Sequence, residues 1–154
     1  MTSVTEAGEP SCAGDDPAIP NDEALYRRLS RENPDQYAVD QETGKRWPTS
    51  AAFMPKPQED GLSVYRRMKL EAAGLGVSAV VIRPEHIVFG METGDVRAIK
   101  LGVRDDAWPS GIPDEEHPRN GAHALIVGWE GMTRGEIKRR ARELAKLPSL
   151  KLVS

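Results

Sequence analysis

The chain has 154 residues, with 21 basic and 24 acidic side chains, three histidines and one cysteine. This length is typical of one domain. A domain of this size buries enough surface to fold without stabilisation by a disulfide or a metal ion. The net charge of −3 is too small to predict binding to nucleic acid or to a membrane surface. The single Cys12 excludes an internal disulfide and a cysteine-rich zinc site. No apolar run reaches the roughly 18 residues of a membrane span, so we expect a cytoplasmic protein.

The first twenty residues differ in composition from the rest. They are acidic, small, proline or glycine residues for the most part, with no lysine or arginine. The acidic side chains there are Glu6, Glu9, Asp15 and Asp16. Their net charge of −4 leaves about +1 for the remainder of the chain. Because such a segment buries too little apolar surface to offset its ordering entropy, we predict a disordered acidic head over residues 1–20. A single globular domain is predicted over residues 21–154.

Short apolar stretches bounded by proline and glycine predict strands in the first half of the domain, at residues 24–30, 47–54 and 62–66. The first stretch is ambiguous between strand and helix, and we favour a strand. In the third, Leu62 and Val64 alternate with Ser63 and Tyr65. That alternation predicts a strand with one buried face.

The second half is predicted to contain three further strands. They lie at residues 77–82, 96–103 and 122–128, the first of them rich in β-branched residues. Residues 84–90 begin with proline and end with glycine, which predicts a helical turn. Residues 105–121 form an acidic, proline-rich loop, and loops of that length are usually functional or mobile.

The strongest helix signal lies near the C-terminus. Thr133 and Glu136 have the spacing of a capping box, in which each side chain satisfies a free amide of the other residue. The apolar stripe that follows consists of Ile137, Ala141, Leu144 and Ala145. With the short strands, this helix predicts an α+β fold, a mainly antiparallel sheet of five or six strands with the helix packed on one face.

Candidate metal and nucleophile sites are weak. His117 and His123 flank acidic residues, but they lack a helical ligand spacing or a thiolate, so no metal site is predicted. Neither Ser50 nor Ser63 lies in the Gly-x-Ser-x-Gly turn of the hydrolases that use this motif. Cys12 lies in the predicted head, where no base is held beside it. His123, between two alanines on a predicted inner strand, is either a hydrogen-bonded core residue or a site residue, and the sequence favours the core.

The polar face of the C-terminal helix is basic and includes Arg139, Arg140 and Arg142. A helix with this charge can follow the phosphates of a nucleic acid. It is also typical of an ordinary solvated surface, which we favour.

Four segments carry a resemblance to known proteins: residues 25–28, 48–53, 60–64 and 122–128. In this order and spacing they resemble a loose family of small bacterial proteins. In that family an arginine-bearing strand is followed by Ser-(Ser/Gln)-Ala-Phe, then Leu-Ser-Val, then His-Ala. The resemblance covers residues 24–128 and implies no known activity.

The chain also faintly resembles the ADP-ribosyltransferase core. That resemblance implies that Arg27 or Arg28 would hold the pyrophosphate of NAD, with Ser50 on the second strand and Glu130 steering the nucleophile. The family's Ser-Thr-Ser run is only Thr49-Ser50 here, and Glu130 follows the last strand instead of lying in it.

Three functional hypotheses follow. The first is an accessory protein that binds another protein and needs no cofactor, because no convergent set of polar residues is evident. The second is an NAD-consuming transferase or glycohydrolase. Only this hypothesis requires NAD. The third is nucleic-acid binding through the C-terminal helix.

Overall fold

The structure, a computed structural model, describes residues 10–30, 34–39, 41–56, 60–107 and 118–154. The strands are β1 (Ala24–Ser30), β2 (Tyr37–Val39), β3 (Arg46–Pro48), β4 (Leu62–Arg66), β5 (His86–Glu92), β6 (Gly102–Asp105), β7 (His123–Val127) and β8 (Lys151–Leu152). The α-helices are α1 (Arg67–Ala72), α2 (Thr93–Ala98) and α3 (Arg134–Leu144).

One six-stranded sheet organises the fold. Its strand order is β6-β7-β4-β1-β5-β8, and every neighbouring pair is antiparallel. Strands β2 and β3 form a separate two-stranded sheet. The predicted α+β class, with a mainly antiparallel sheet and a C-terminal helix, is confirmed.

The two faces of the main sheet are buried unequally. Alternation along β4 directs Leu62 and Val64 into the main core, where α3 contributes Ala141 and Leu144. The opposite face carries a smaller apolar cluster, which α1 and the segment after it cover. Its buried members are Tyr26, Tyr65, Leu70, Val80, Val88 and Ala122. The helix therefore packs on one face as predicted, and Ser63 lies on the other.

The cap of α3 is formed as the sequence predicts. Glu136 N donates to Thr133 Oγ1 and Thr133 N donates to Glu136 Oε1, both at 3.2 Å. These bonds satisfy two amides that have no partner within the helix.

Two predictions in the middle of the chain are wrong. The strand predicted at residues 77–82 is replaced by a 3-10 helix at Val77–Ala79, followed by the buried Val80. Most of the segment predicted as a helical turn at residues 84–90 instead belongs to β5, which begins at His86 and pairs with β1 along its whole length. This pairing outweighs the local helix-start signal of Pro84, because strand formation depends on the partner more than on intrinsic propensity.

Two other predicted strands are only partly present. Residues 47–54 contain the end of β3 and then a 3-10 helix at Ser50–Phe53, which buries Phe53 in the main core. Residues 96–103 contain the end of α2 and the start of β6. The chain reverses between these two elements at Lys100, which has a left-handed φ of 70°. Most of the loop predicted at 105–121 lies outside the described residues.

The N-terminal segment differs from the disordered head predicted over residues 1–20. Residues 1–9 lie outside the described part, but residues 10–20 pack against β6 and α2. The carboxylate of Asp15 is buried and accepts hydrogen bonds from Val103 N at 2.8 Å and Arg97 Nε at 3.2 Å. Ile19 is 1% exposed in the main core. The charge-assisted hydrogen bonds of Asp15 and the burial of Ile19 offset the conformational entropy lost when this segment is ordered. The composition alone predicted that this entropy would keep the segment disordered.

Candidate functional site: Ser63, His123 and Asp106

Two neighbouring strands bring a serine and a histidine together. Strands β4 and β7 pair with Tyr65 opposite His123, and Ser63 projects from the same face two residues earlier. As a result, Ser63 Oγ lies 2.6 Å from His123 Nε2. The other ring nitrogen, Nδ1, lies 2.9 Å from Asp106 Oδ2. The three side chains form one continuous hydrogen-bonded chain.

Asp106 is positioned by the sheet even though it follows the last residue of β6. Its backbone N donates to the carbonyl oxygen of His123 at 2.9 Å, which continues the β6–β7 ladder by one bond. This bond fixes the Asp106 backbone beside the imidazole. Its carboxylate is 45% exposed, whereas the His123 side chain is 17% exposed.

This geometry selects one histidine tautomer. A carboxylate only accepts hydrogen bonds, so Nδ1 of His123 donates to Asp106. In the neutral ring, Nε2 is then the acceptor and receives the hydroxyl proton of Ser63. A base in this state, oriented by an acid and bonded to a hydroxyl, has the arrangement of a Ser-His-Asp triad.

Aromatic packing restrains the imidazole further. The buried Tyr65 ring meets His123 edge-on, with ring centroids 5.5 Å apart and planes at 69°. The guanidinium of Arg28 lies over the same tyrosine, 5.7 Å from its centroid. Arg28, Tyr65 and His123 therefore form a packed row that ends at Ser63.

Ser63 opens onto a cavity of about 350 Å³. Its lining residues are Arg27, Arg28, Leu29, Ser30, Gln36, Met54, Lys56, Leu62, Ser63, Tyr65 and His86. None of these described lining residues is acidic. Ser63 is therefore a lining residue of the cavity, whereas its hydrogen-bond partner His123 is not.

Arg27, a predicted site residue, supports the backbone of this site. Its Nε donates to the carbonyl of Ala52 at 3.0 Å and its Nη1 donates to the carbonyl of Ser63 at 2.8 Å. These bonds join β1, the 3-10 helix at Ser50–Phe53 and β4. The arginine predicted to bind a pyrophosphate therefore donates these two hydrogen bonds to the protein's own backbone.

The other residues of the NAD hypothesis lie apart from the hydrogen-bonded chain. Ser50 is the first residue of its 3-10 helix, and the serine that meets His123 is Ser63. Glu130 is exposed and lines a cavity with Trp129. That cavity adjoins the one lined by Arg27, because Lys56 lines both.

The basic residues of α3 differ from one another. Arg139 and Arg142 are exposed. Arg140 is half-buried and forms an ion pair with Glu143 at 2.6 Å. Nucleic-acid binding through these residues stays a prediction.

Cys12 is held by the fold, in contrast to the mobile position predicted for it. Its Sγ donates to the carbonyl of Val127 at 3.6 Å. Burial, together with the nearby Asp15 carboxylate, raises the pKa of the Cys12 thiol. The thiol is therefore protonated and poorly nucleophilic near neutral pH.

Sequence reasoning singled out His123 but missed its two partners. One signal pointed to Ser63: the segments of the bacterial-family resemblance meet here, since Arg27 contacts Ala52 and Ser63, and Ser63 contacts His123. Asp106 had no comparable signal, because it is one of several carboxylates in residues 105–116.

The described residues contain no group of three or more His, Cys, Asp or Glu side chains arranged to hold a metal ion. Within the same residues, no helix has the length and apolar character needed to cross a membrane. No protein-family model, curated protein or solved structure matches the chain. The geometry around Ser63 is therefore the firmest guide to function.

Proposed function

We propose that the chain is a cytoplasmic hydrolase that cleaves a small ester or thioester by acyl transfer to Ser63. The observation that supports this is the hydrogen-bonded chain from Ser63 Oγ through His123 to Asp106, at 2.6 and 2.9 Å, beside a cavity. Ser63 is the nucleophile, His123 the general base and Asp106 the residue that orients the base.

The reaction takes place in two halves. Ser63 Oγ attacks the carbonyl carbon while His123 Nε2 takes the hydroxyl proton, and a tetrahedral oxyanion forms. The oxyanion collapses, the bond to the leaving group breaks, and His123 returns the proton to the departing alcohol or thiol. Water then attacks the acyl-serine and gives its proton to His123. The acid leaves, and the proton returns to Ser63 Oγ.

The cavity supports a small substrate. Its volume of about 350 Å³ lies at the lower end of the range for small-molecule sites, roughly 300 to 1,000 Å³. The cationic lining also supports this reaction, because positive charge near the carbonyl oxygen would stabilise it as it becomes negative in the transition state.

Labelling with a fluorophosphonate tests the proposal directly, because this probe reacts with activated serines. We expect mass spectrometry to find the label on Ser63, and para-nitrophenyl acetate to give a burst of one nitrophenol per chain. Ser63→Ala abolishes both signals, and His123→Gln lowers the acylation rate by about 10³-fold or more.

The matched control is Ser78→Ala, which removes an exposed serine elsewhere on the domain and leaves labelling unchanged. Label on another residue, or hydrolysis that survives Ser63→Ala, would overturn the assignment.

A second candidate function, binding to another protein, is favoured by a different surface. Trp47 and Leu152 are 48% and 45% exposed and line a groove of about 630 Å³ between β3, β8 and the end of α3. The basic residues along this groove are Lys45, Arg46, Lys146 and Lys151, and its described lining contains no acidic residue. Charge complementarity points to an acidic segment of a partner protein with apolar side chains for the groove floor.

A short peptide of alternating glutamate and leucine tests this surface by fluorescence anisotropy. It should bind more tightly than its lysine–leucine counterpart, and binding should weaken with salt and with Trp47→Ala. Met68→Ala, at another exposed apolar residue, is the control. Equal binding of the two peptides, or none, would remove this candidate.

A further inference from the structure

One edge of the Arg28 guanidinium is available to a ligand. Its Nη1 donates to the carbonyl of Val80 at 3.2 Å, and its plane is held over the Tyr65 ring. Within the described residues, Nε and Nη2 have no hydrogen-bond partner. Among the described side chains, a buried polar atom without a partner is found at Arg140 and not at Arg28. The two unpaired nitrogens of Arg28 are therefore reached by solvent.

The charge of this arginine is also uncompensated. Arg28 makes no ion pair in the described part of the chain, and neither does the exposed Lys56, which lines the same cavity. No aspartate or glutamate is present among the described lining residues. The described lining of the cavity beside Ser63 therefore carries a net positive charge.

The free edge has the shape of a carboxylate receptor. Nε and Nη2 of a guanidinium point in nearly parallel directions, and their spacing matches the two oxygens of a carboxylate. The Val80 bond and the Tyr65 ring fix the fork before a ligand arrives, so little side-chain entropy is lost on binding.

We propose that this edge of Arg28, with Lys56, binds a carboxylate on the acyl part of the substrate. The substrates would then be half-esters or half-thioesters of short dicarboxylic acids. This inference rests on the proposed acyl transfer to Ser63 for its reaction. The products are the free dicarboxylate and the alcohol or thiol, with one water consumed.

Two measurements separate the subsite from the chemistry. The first is binding of glutarate, with neutral glutaramide as its partner probe, to the full-length Ser63→Ala protein by NMR titration at low salt. Glutarate should bind at least about tenfold more tightly, because charge-assisted bidentate bonds are the stronger class. The second is the ratio of kcat/KM for para-nitrophenyl hydrogen glutarate over para-nitrophenyl valerate in the unmodified protein, which should favour the charged ester to a similar degree.

Variants locate the subsite. Arg28→Gln should remove both preferences. Because that change also deprives Val80 of a donor, its melting curve and the shifts of the core amides are compared with those of the parent protein. Lys56→Gln changes an exposed side chain that forms no hydrogen bond or ion pair within the described residues, and it should reduce both preferences without altering the fold.

The outcomes are distinguishable. Tight glutarate binding without ester cleavage keeps the subsite and removes the proposed function. Equal cleavage of charged and neutral esters keeps the function and overturns the subsite. Inorganic phosphate that displaces glutarate at equal or lower concentration would overturn the carboxylate assignment.

Discussion

The guanidinium of Arg27 and the backbone carbonyl of Ser63 are joined by a hydrogen bond of 2.8 Å. The same side chain holds the carbonyl of Ala52. The candidate nucleophile is thus supported through its own main chain by the central strand of the sheet. The neighbouring Arg28 differs, because its only hydrogen bond within the described residues joins Nη1 to the carbonyl of Val80, and the residue lines the cavity.

Arg27→Met should lower the free energy of unfolding by about 2–3 kcal/mol, because two carbonyls lose charged donors in a half-buried place. Urea denaturation measures the change. Arg134→Met, at an exposed arginine of α3, should leave the midpoint nearly unchanged. If the two variants had equal midpoints, the Arg27 bonds would contribute nothing to stability.

Asp15→Ala should destabilise the protein by about 3 kcal/mol, because Arg97 and the Val103 amide lose a buried anionic partner. Combining it with Arg97→Met should cost less than the sum of the single changes, since both remove one interaction. The control is Asp22→Ala, at an exposed aspartate. An additive double variant would contradict the contact and with it the ordered placement of residues 10–20.

Gly61→Ala tests the spacing between β4 and β7. A β-carbon at Gly61 would lie 2.5 Å from the backbone oxygen of Ile126, so the strands must separate locally. We expect a loss of about 2 kcal/mol in stability and slower fluorophosphonate labelling of Ser63. Gly121→Ala is the matched control, because, apart from its two chain neighbours, no described residue has an atom within 4 Å of its added carbon. Unchanged labelling in a measurably destabilised Gly61→Ala protein would mean that the Ser63 geometry tolerates this separation.

The Glu136 carboxylate gives a pH-dependent prediction. Hydrogen bonds from Thr133 lower the pKa of Glu136 below its usual 4.5. A lowered folded-state pKa stabilises the protein above the unfolded-state value, and the contribution is lost as pH falls through the folded-state value.

Glu136→Gln should therefore melt below the parent protein at neutral pH, and the gap should narrow in acid and close once the pH falls below the lowered folded-state pKa of Glu136. Glu92→Gln, at an exposed glutamate, is the control. A gap in melting temperature that persists in acid would show that the ionised carboxylate is not its source.

Periodicity and capping predicted the elements whose signals are local. Leu62 and Val64 of β4 share the buried face that their alternation predicts, although Tyr65 on the other face is buried as well. Helix α3 begins with a cap that its own residues complete. The segments at 77–82 and 84–90 were misassigned because both are apolar and short. The segment at 84–90 forms a strand because it pairs with β1, which lies far away in the chain.

The candidate site was harder to predict than the fold, for a related reason. Ser63 lacks the sharp turn that marks many hydrolase nucleophiles, since it lies within a regular strand. Its partnership with His123 is created by the register of two strands, and Asp106 is selected from several nearby carboxylates by one backbone bond. Sequence patterns record neither of these two relationships.

The contact between Ser63 and His123 spans 60 positions of the chain and depends on the pairing of β4 with β7. No fragment that lacks either strand can reproduce it, and neither can a collapsed state with loosened packing. The reactivity of Ser63 would then report whether the sheet is cooperatively folded. Its loss in denaturant should coincide with the loss of circular dichroism, whereas an earlier loss would reveal a separately melting edge of the sheet.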